Sequence, residues 1–164
     1  MKTLLLIRHA KSSWKSEGLS DFERPLNERG QRDAQEMADR IKVRGMRPDA
    51  FISSPAKRAK KTAKLFMRVF DANEKQLLLI PELYEASLPS FKKVVENISD
   101  SFNTVAVFAH NPGITDFVNS LESASVYDMP TCGVYAVKIQ GNNWLDLQIR
   151  GKEFLFFDYP KNEE

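Results

Sequence analysis

Cysteine and histidine are scarce in this 164-residue chain, which contains one cysteine and two histidines. The single cysteine, Cys132, excludes an intrachain disulfide and any metal site built from several thiolates, a pattern that fits a reducing compartment. The two histidines lack the His-Glu-x-x-His spacing of helical zinc sites. We therefore expect no bound metal and no other cofactor.

Long apolar runs and an excess of one charge are also missing. Arg8 and His9 interrupt the apolar stretch at residues 4–7, which is too short for a signal-peptide core or a membrane span. The 24 basic and 22 acidic residues leave a net charge of +2, which gives no overall attraction to nucleic acid or to an anionic membrane. We expect a cytoplasmic protein with no nucleic-acid and no membrane partner.

The composition that remains is typical of one globular domain, with 42% hydrophobic residues. Short apolar runs alternate with amphipathic stretches, which predicts an α/β fold with a mainly parallel sheet. The predicted strands cover residues 3–8, 50–53, 76–80, 104–109, 133–139 and 144–149. A turn-rich segment at residues 140–143 predicts a hairpin, and hence an antiparallel edge. The domain spans residues 1–164, with a frayed tail over 160–164.

Helices are predicted between these strands. Asn27 is a candidate N-cap of the first helix and Gly45 its stop signal. Ser54 is the candidate N-cap of the second, with Pro55 at its first position. Weaker amphipathic patterns predict helices at residues 90–98 and 114–121. The aromatic run at residues 154–157 is interpreted as core packing, or as a patch that docks another subunit.

Both histidines directly follow predicted strands. His9 comes after Arg8 at the end of the first strand, and His110 follows the fourth. Because ligands bind at the carboxyl ends of parallel strands, both side chains can meet in one site. A further strand leads to a helix start with Arg58 in its first turn or just beyond. Asn111, a candidate cap of the next helix, offers a backbone N–H after His110. This combination predicts a phosphate or sulfate site.

Phosphoryl transfer requires positive charge around three oxygens and a nucleophile aligned with the leaving group. The guanidinium groups of Arg8 and Arg58 can each hold two phosphate oxygens, and His110 adds a further donor. A neutral imidazole, that of His9, is a competent nucleophile near pH 7. The arginines neutralise the charge that a metal neutralises elsewhere, so the chemistry requires no metal.

Residues near these candidates have more than one interpretation. Arg24 either reaches the phosphate from the loop of residues 10–26 or holds that loop in place. Trp14 either lines the mouth of the pocket or packs beneath the loop. Several lysines surround Arg58 and are interpreted as a solvated helix face that can attract an acidic partner. They are Lys57, Lys60, Lys61 and Lys64.

Four segments together resemble the histidine phosphatase superfamily. Arg8-His9-Ala10 is similar to its Arg-His-Gly signature, although alanine stands where glycine is usual. Residues 53–63 resemble its second-arginine motif, and residues 109–113 resemble its second-histidine motif. Residues 24–30 look like the stretch that opens its first helix. The short chain is most similar to the SixA-type phosphohistidine phosphatases.

The resemblance implies a phosphoglycerate mutase-like, three-layer α/β/α sandwich. It implies that His9 is phosphorylated and that Arg8, Arg58 and His110 bind the phosphoryl group. Glu85 stands where larger members of the superfamily have a proton donor, and it is either that acid or an ordinary surface carboxylate. The implied partner is a phosphorylated protein, either a histidine phosphotransfer domain or a phosphocarrier.

Two other functions remain open at this point. A phosphatase of small phosphorylated metabolites needs an acid such as Glu85, because an alkoxide is a poor leaving group, whereas imidazole can leave neutral. A non-catalytic module could use the same cationic pocket to hold an anionic partner. Phosphohistidine hydrolysis without a metal is the leading hypothesis.

Overall fold

The computed structural model describes residues 1–15, 18–149 and 151–162. Within these residues the chain forms six strands and four α-helices. The strands are β1 (Lys2–Arg8), β2 (Ala50–Ser53), β3 (Leu77–Leu79), β4 (Thr104–Ala109), β5 (Val134–Ile139) and β6 (Lys152–Asp158). The helices are α1 (Glu28–Val43), α2 (Lys57–Val69), α3 (Leu88–Glu96) and α4 (Gly113–Ser120).

All six strands belong to one sheet, in the order β3-β2-β4-β1-β5-β6. β3, β2, β4 and β1 are parallel, whereas β5 is antiparallel to β1 and β6 is antiparallel to β5. The prediction of a mainly parallel sheet with an antiparallel edge is confirmed. In the parallel register Arg8 lies opposite Ala109, and Ser53 lies opposite Phe108. The carboxyl ends of β1, β2 and β4 therefore meet at one edge of the sheet.

Helices cover both faces of the sheet, which confirms the three-layer sandwich. Successive side chains of a strand point to opposite faces, so each face has its own apolar cluster. One cluster includes Leu4 and Leu6 of β1 with Phe91 of α3 and Phe117 of α4. The other includes Leu5 and Ile7 of β1 with Met37 of α1 and Phe66 of α2.

The helix boundaries follow most of the predicted signals. The Asn27 side chain accepts a hydrogen bond from the Gly30 N–H at 2.8 Å, and Gly45 has a φ of +83° just after α1. The prediction that Ser54 is the N-cap of the second helix is wrong, because Ala56 occupies that position. The Ser54 hydroxyl lies 2.8 Å from a His110 nitrogen and accepts from the Ala56 N–H, so the chain turns once more before α2 begins. No helix in the described part of the chain is long and apolar enough to cross a membrane.

The predicted strand at residues 144–149 is also wrong. Its residues form a 3-10 helix, Trp144–Gln148. Trp144 and Leu147, three residues apart, are buried, as the period of a 3-10 helix requires, while Ile149 is exposed. The antiparallel edge is formed instead by β6, which contains the aromatic run at residues 154–157.

The C-terminal segment after β6 contacts α1. Nη1 of Arg40 donates hydrogen bonds to the carbonyls of Tyr159 at 3.0 Å and Asn162 at 3.2 Å. Nη2 of Arg40 donates to the Pro160 carbonyl at 3.2 Å. The last two residues of the predicted tail, 163 and 164, lie outside the described residues, so the frayed tail stays a prediction.

Candidate active site

A cavity of about 530 Å³ opens at the carboxyl ends of β1, β2 and β4. Every site residue predicted from the sequence lines it. These are Arg8, His9, Arg24, Arg58, Glu85, His110 and Asn111. Asp21 and Tyr84, which the sequence did not single out, line it as well.

The His9 imidazole is 6% exposed and has a defined partner on each side. Its Nδ1 lies 2.8 Å from the Ala10 carbonyl oxygen, which can only accept, so Nδ1 carries the proton. Its Nε2 lies 3.4 Å from the Nε–H of Arg58, which can only donate. Burial lowers the pKa of His9 to about 3, and the charges of His110 and Arg58 act in the same direction. His9 is therefore neutral near pH 7, with the lone pair on Nε2.

His110 faces His9, and their ring centroids are 5.2 Å apart. Its Nε2 lies 2.8 Å from the Ser54 hydroxyl, while its Nδ1 is buried and has no hydrogen-bond partner. Burial lowers the pKa of His110 to about 4, with a further contribution from Arg58. A neutral His110 that accepts from Ser54 through Nε2 has a free N–H at Nδ1.

Arg58 is oriented by the loop that follows β1. Its Nη1 donates to the Asp21 carbonyl at 2.6 Å, and its Nη2 donates to the Asp21 carboxylate at 3.0 Å. Because these contacts hold the terminal nitrogens, Nε is directed at His9. A planar guanidinium held at three nitrogens has little rotational freedom.

Asp21 is the main site residue that sequence reasoning missed. Its carboxylate also accepts from Nη2 of Arg24 at 3.1 Å and from the Tyr84 hydroxyl at 2.7 Å. The bond from Tyr84 is the largest cause that lowers the pKa of Asp21 to about 2, so this carboxylate is ionised at neutral pH. The only local signal was its position three residues before Arg24, in a short 3-10 segment, Asp21–Glu23.

Arg8 and Asn111 are held by the loop before β5. Nη1 of Arg8 donates to the Met129 carbonyl at 2.9 Å, while its Nε is buried without a partner. Asn111 is not the cap of α4, since Pro112 occupies that position. Its side chain instead donates to the Asp128 carboxylate at 2.7 Å and accepts from the Thr115 hydroxyl at 2.6 Å. Asp128 thus lies beside the site.

The mouth of the cavity carries the remaining candidates. Trp14 is 76% exposed, and the guanidinium carbon of Arg24 lies 3.7 Å from its ring centroid. Arg24 also donates a hydrogen bond to the Ser12 hydroxyl, so its guanidinium group contacts both Ser12 and Trp14 of the loop after β1. Glu85 is exposed at the rim and has a φ of +54°.

Ala10 links the loop after β1 to α2. Its N–H donates to the Thr62 hydroxyl at 3.0 Å, and that hydroxyl donates to the Arg58 carbonyl at 2.8 Å. Among the described non-glycine residues, positive φ is limited to Asp71, Glu85, Glu122 and Cys132. Ala10 is not among them, so its backbone does not require glycine there.

Within the described ranges, no group of three or more His, Cys, Asp or Glu side chains is placed to hold a metal ion. The donors that converge on the cavity are guanidinium and imidazole nitrogens. Such a set attracts an anion rather than a cation.

Comparisons with known proteins agree with this geometry. Residues 4–112 match the family described as the histidine phosphatase superfamily (branch 1). An uncharacterised chloroplastic protein of Arabidopsis thaliana is 29% identical over 151 residues, which cover 87% of this chain and 69% of that protein.

Solved structures of other proteins share this fold. A protein assigned as phosphohistidine phosphatase SixA from Agrobacterium tumefaciens has a TM-score of 0.80 and 25% identity, over 97% of this chain and 98% of that one. The protein histidine phosphatase SixA in complex with tungstate also has a TM-score of 0.80, at 18% identity, over 96% of this chain and 97% of that one, and shares the fold. Because the family match spans most of the chain and contains both histidines, the chain belongs to branch 1 of the histidine phosphatase superfamily.

Proposed function

We propose that this protein is a metal-independent phosphatase that removes phosphate from phosphohistidine on a protein, through a phosphorylated His9. The observation that carries the proposal is the state of the His9 imidazole. Its Nδ1 proton is held by the Ala10 carbonyl, burial keeps the ring neutral, and Nε2 is left as the nucleophilic atom.

The reaction consists of two displacements at phosphorus. His9 Nε2 forms a bond to phosphorus while the bond from phosphorus to the substrate nitrogen breaks, and the electron pair leaves with the substrate imidazole. That imidazole leaves neutral when its other ring nitrogen carries a proton. Water then attacks the phosphorus of phosphorylated His9, and the electron pair of the breaking bond returns to Nε2. The phosphate that is released carries the water oxygen and its two protons, one of which passes to solvent.

The unpartnered donors of the cavity supply the charge stabilisation. Nε of Arg8 and Nδ1 of His110 are buried without partners, and both belong to side chains that line the cavity. Buried donors without partners are costly, so a phosphoryl oxygen that accepts from them gains more than it would at the surface. With Nε of Arg58 beside His9, these groups surround the transferred phosphoryl group.

The choice of substrate class follows from the available acids. Asp21 is ionised at neutral pH and engaged by Arg58, Arg24 and Tyr84, so it cannot donate a proton to a leaving group. A site without a buried acid favours a leaving group that departs neutral, which phosphohistidine provides. A partner is then a histidine phosphotransfer domain or a phosphocarrier protein.

A phosphatase of small phosphorylated esters is the second candidate, and Glu85 is the observation that favours it. Its side chain lines the same cavity as His9 and is exposed to solvent. Glu85→Gln separates the two functions. If Glu85 is the acid for esters, this variant loses ester hydrolysis and retains phosphohistidine hydrolysis.

The decisive experiment follows phosphate release from a phosphohistidine-bearing protein and from p-nitrophenyl phosphate, with a chelator present. Wild type is compared with His9→Ala. We expect chelator-resistant release from the phosphohistidine protein, an acid-labile phosphoryl group on His9 after a brief reaction, and loss of both in the variant. Preference for the ester would favour the second candidate, and absence of release and of phosphorylated His9 would leave a non-catalytic module.

A further inference from the structure

A second groove, of about 510 Å³, lies beside the active-site cavity. One wall is formed by four lysines of α2 at positions that share a helix face: Lys57, Lys60, Lys61 and Lys64. The groove is also lined by Phe22, Pro25 and Leu26 of the loop after β1. We refer to this feature as the lysine groove.

The positive charge of the lysine groove is not neutralised within the described part of the chain. α2 has the sequence KRAKKTAKLFMRV, which contains no acidic residue. None of the four lysines has an ion-pair partner among the described residues, whereas Arg24, Arg40 and Arg58 do. Among the residues that the structure describes, Glu23 is the one carboxylate that lines the groove. For a chain with a net charge of +2, this is a strong local concentration of charge.

The lysine groove and the catalytic cavity share a wall. In the 3-10 segment Asp21–Glu23, Asp21 binds Arg58 inside the cavity, while Phe22 and Glu23 line the groove. The Phe22 ring packs edge-on against Tyr84, with 5.1 Å between centroids. Only this three-residue segment therefore separates a partner in the groove from the cavity that contains His9.

We infer that the lysine groove docks an acidic segment on the surface of the phosphohistidine-bearing protein, an inference that rests on the proposed function. Four lysines at helical spacing fit a segment that presents several Asp or Glu side chains. The apolar side chains of Phe22, Pro25 and Leu26 add contact area for aliphatic groups of the same segment. A nucleic-acid backbone fits less well, because it offers no aliphatic side chains to Pro25 and Leu26.

The test uses two synthetic peptides of equal length, each phosphorylated on one histidine. One carries glutamates on both sides of the phosphohistidine, and the other carries glutamine at the same positions. Phosphoramidate serves as a substrate too small to reach the groove. The variant is Lys60→Glu/Lys64→Glu, and the control of equal charge change is Lys75→Glu/Lys93→Glu, whose side chains are exposed outside the groove.

At low salt we expect wild type to hydrolyse the glutamate peptide with a kcat/KM about tenfold above that of the glutamine peptide. This preference should disappear in Lys60→Glu/Lys64→Glu and persist in the control, through a change in KM. Turnover of phosphoramidate should be the same in all three proteins. Equal preference in wild type and Lys60→Glu/Lys64→Glu would overturn the inference.

A binding measurement tests this inference independently of the proposed function. If wild type hydrolyses neither peptide nor phosphoramidate, the proposed function fails, but fluorescence anisotropy with the unphosphorylated glutamate peptide still tests the groove. We expect that peptide to bind wild type more tightly than Lys60→Glu/Lys64→Glu. Equal binding would contradict the docking role. Tighter binding of an RNA of equal charge, lost in the same variant, would assign the groove to nucleic acid instead.

Discussion

His9 and His110 lie in surroundings that favour their neutral forms, since burial lowers the pKa of His9 to about 3 and that of His110 to about 4. In the unfolded chain both side chains titrate near pH 6.5. Between these values the unfolded chain binds protons that the folded protein does not. The two histidines therefore leave the free energy of unfolding unchanged well above about pH 6.5. They lower it as the pH falls from about 6.5 toward the folded pKa values.

We expect the free energy of unfolding to fall by about 1.4 kcal/mol for each of the two histidines between pH 7.5 and pH 5.5. Urea denaturation at several pH values measures this. His9→Gln and His110→Gln should each remove about half of the histidine contribution. A pH dependence that is the same in wild type and in both variants would contradict the burial of neutral imidazoles.

Asp21 places a negative charge against Arg58 and Arg24, two cations that line the same cavity as His9. We expect Asp21→Asn to bind inorganic phosphate about tenfold more tightly, because the variant removes a charge that repels the anion while it preserves the shape of the side chain. We also expect a lower kcat, because Arg58 is then held less firmly toward His9. Inhibition by phosphate and steady-state kinetics measure the two effects.

Asp71→Asn is the matched control for this prediction. Asp71 is exposed, has a φ of +52°, which asparagine tolerates, and does not line the cavity. The Asp71→Asn variant should have the same inhibition by phosphate and the same kcat as wild type. If Asp21→Asn behaved in the same way, Asp21 would have no influence on the phosphate site.

At the scale of elements, the loop after β1 is held against the start of α1. The Lys11 carbonyl accepts from the Asn27 N–H at 3.0 Å, and a Cβ at Gly30 would lie 2.1 Å from that carbonyl oxygen. We expect Gly30→Ala to lower the free energy of unfolding by about 1–3 kcal/mol, because either the loop or the helix must move. Urea denaturation measures the loss.

Gly151→Ala is the control for Gly30→Ala. The nearest atom to a Cβ at Gly151 is a Gln140 side-chain carbon at 3.6 Å, an ordinary van der Waals distance. Its stability should lie within about 0.5 kcal/mol of wild type. Equal stability of the two variants would mean that the loop can move away from a Cβ at position 30 without lowering the free energy of unfolding. Since the loop also contains His9, a drop in kcat should accompany the loss at Gly30.

At the scale of the whole molecule, an anion that binds only the folded cavity should stabilise the entire domain. At a concentration 100 times its Kd, tungstate should add about 2.7 kcal/mol, which corresponds to a rise in Tm of about 5–10 °C. Thermal unfolding with and without tungstate measures this. Arg58→Ala should abolish the rise, whereas Arg68→Ala, on the exposed side of the same helix, should retain it. A rise that survives Arg58→Ala would place the anion elsewhere.

Much of the fold and the site was predictable from local patterns in the sequence. Apolar runs identified β1, β2, β4 and β5, because residues buried in a central sheet form short continuous stretches. Arg8, His9 and His110 were recognised because they follow such runs, and parallel strands bring their carboxyl ends to one edge. Asn27 marked the start of α1 because an N-cap is a local hydrogen bond.

Only the tertiary structure decided the features that depend on distant contacts. The alternating pattern of residues 144–149 fits a strand. The residues form a 3-10 helix instead, in which the indole N–H of Trp144 donates to the carbonyls of Ser99 and Phe102. Asp21 has no periodic or motif signal, because its partners Arg58 and Tyr84 lie 37 and 63 residues away. Sequence spacing determines which strands, helices and caps neighbouring residues of the chain can form. The partners of a loop carboxylate are determined by which elements the folded sheet brings together.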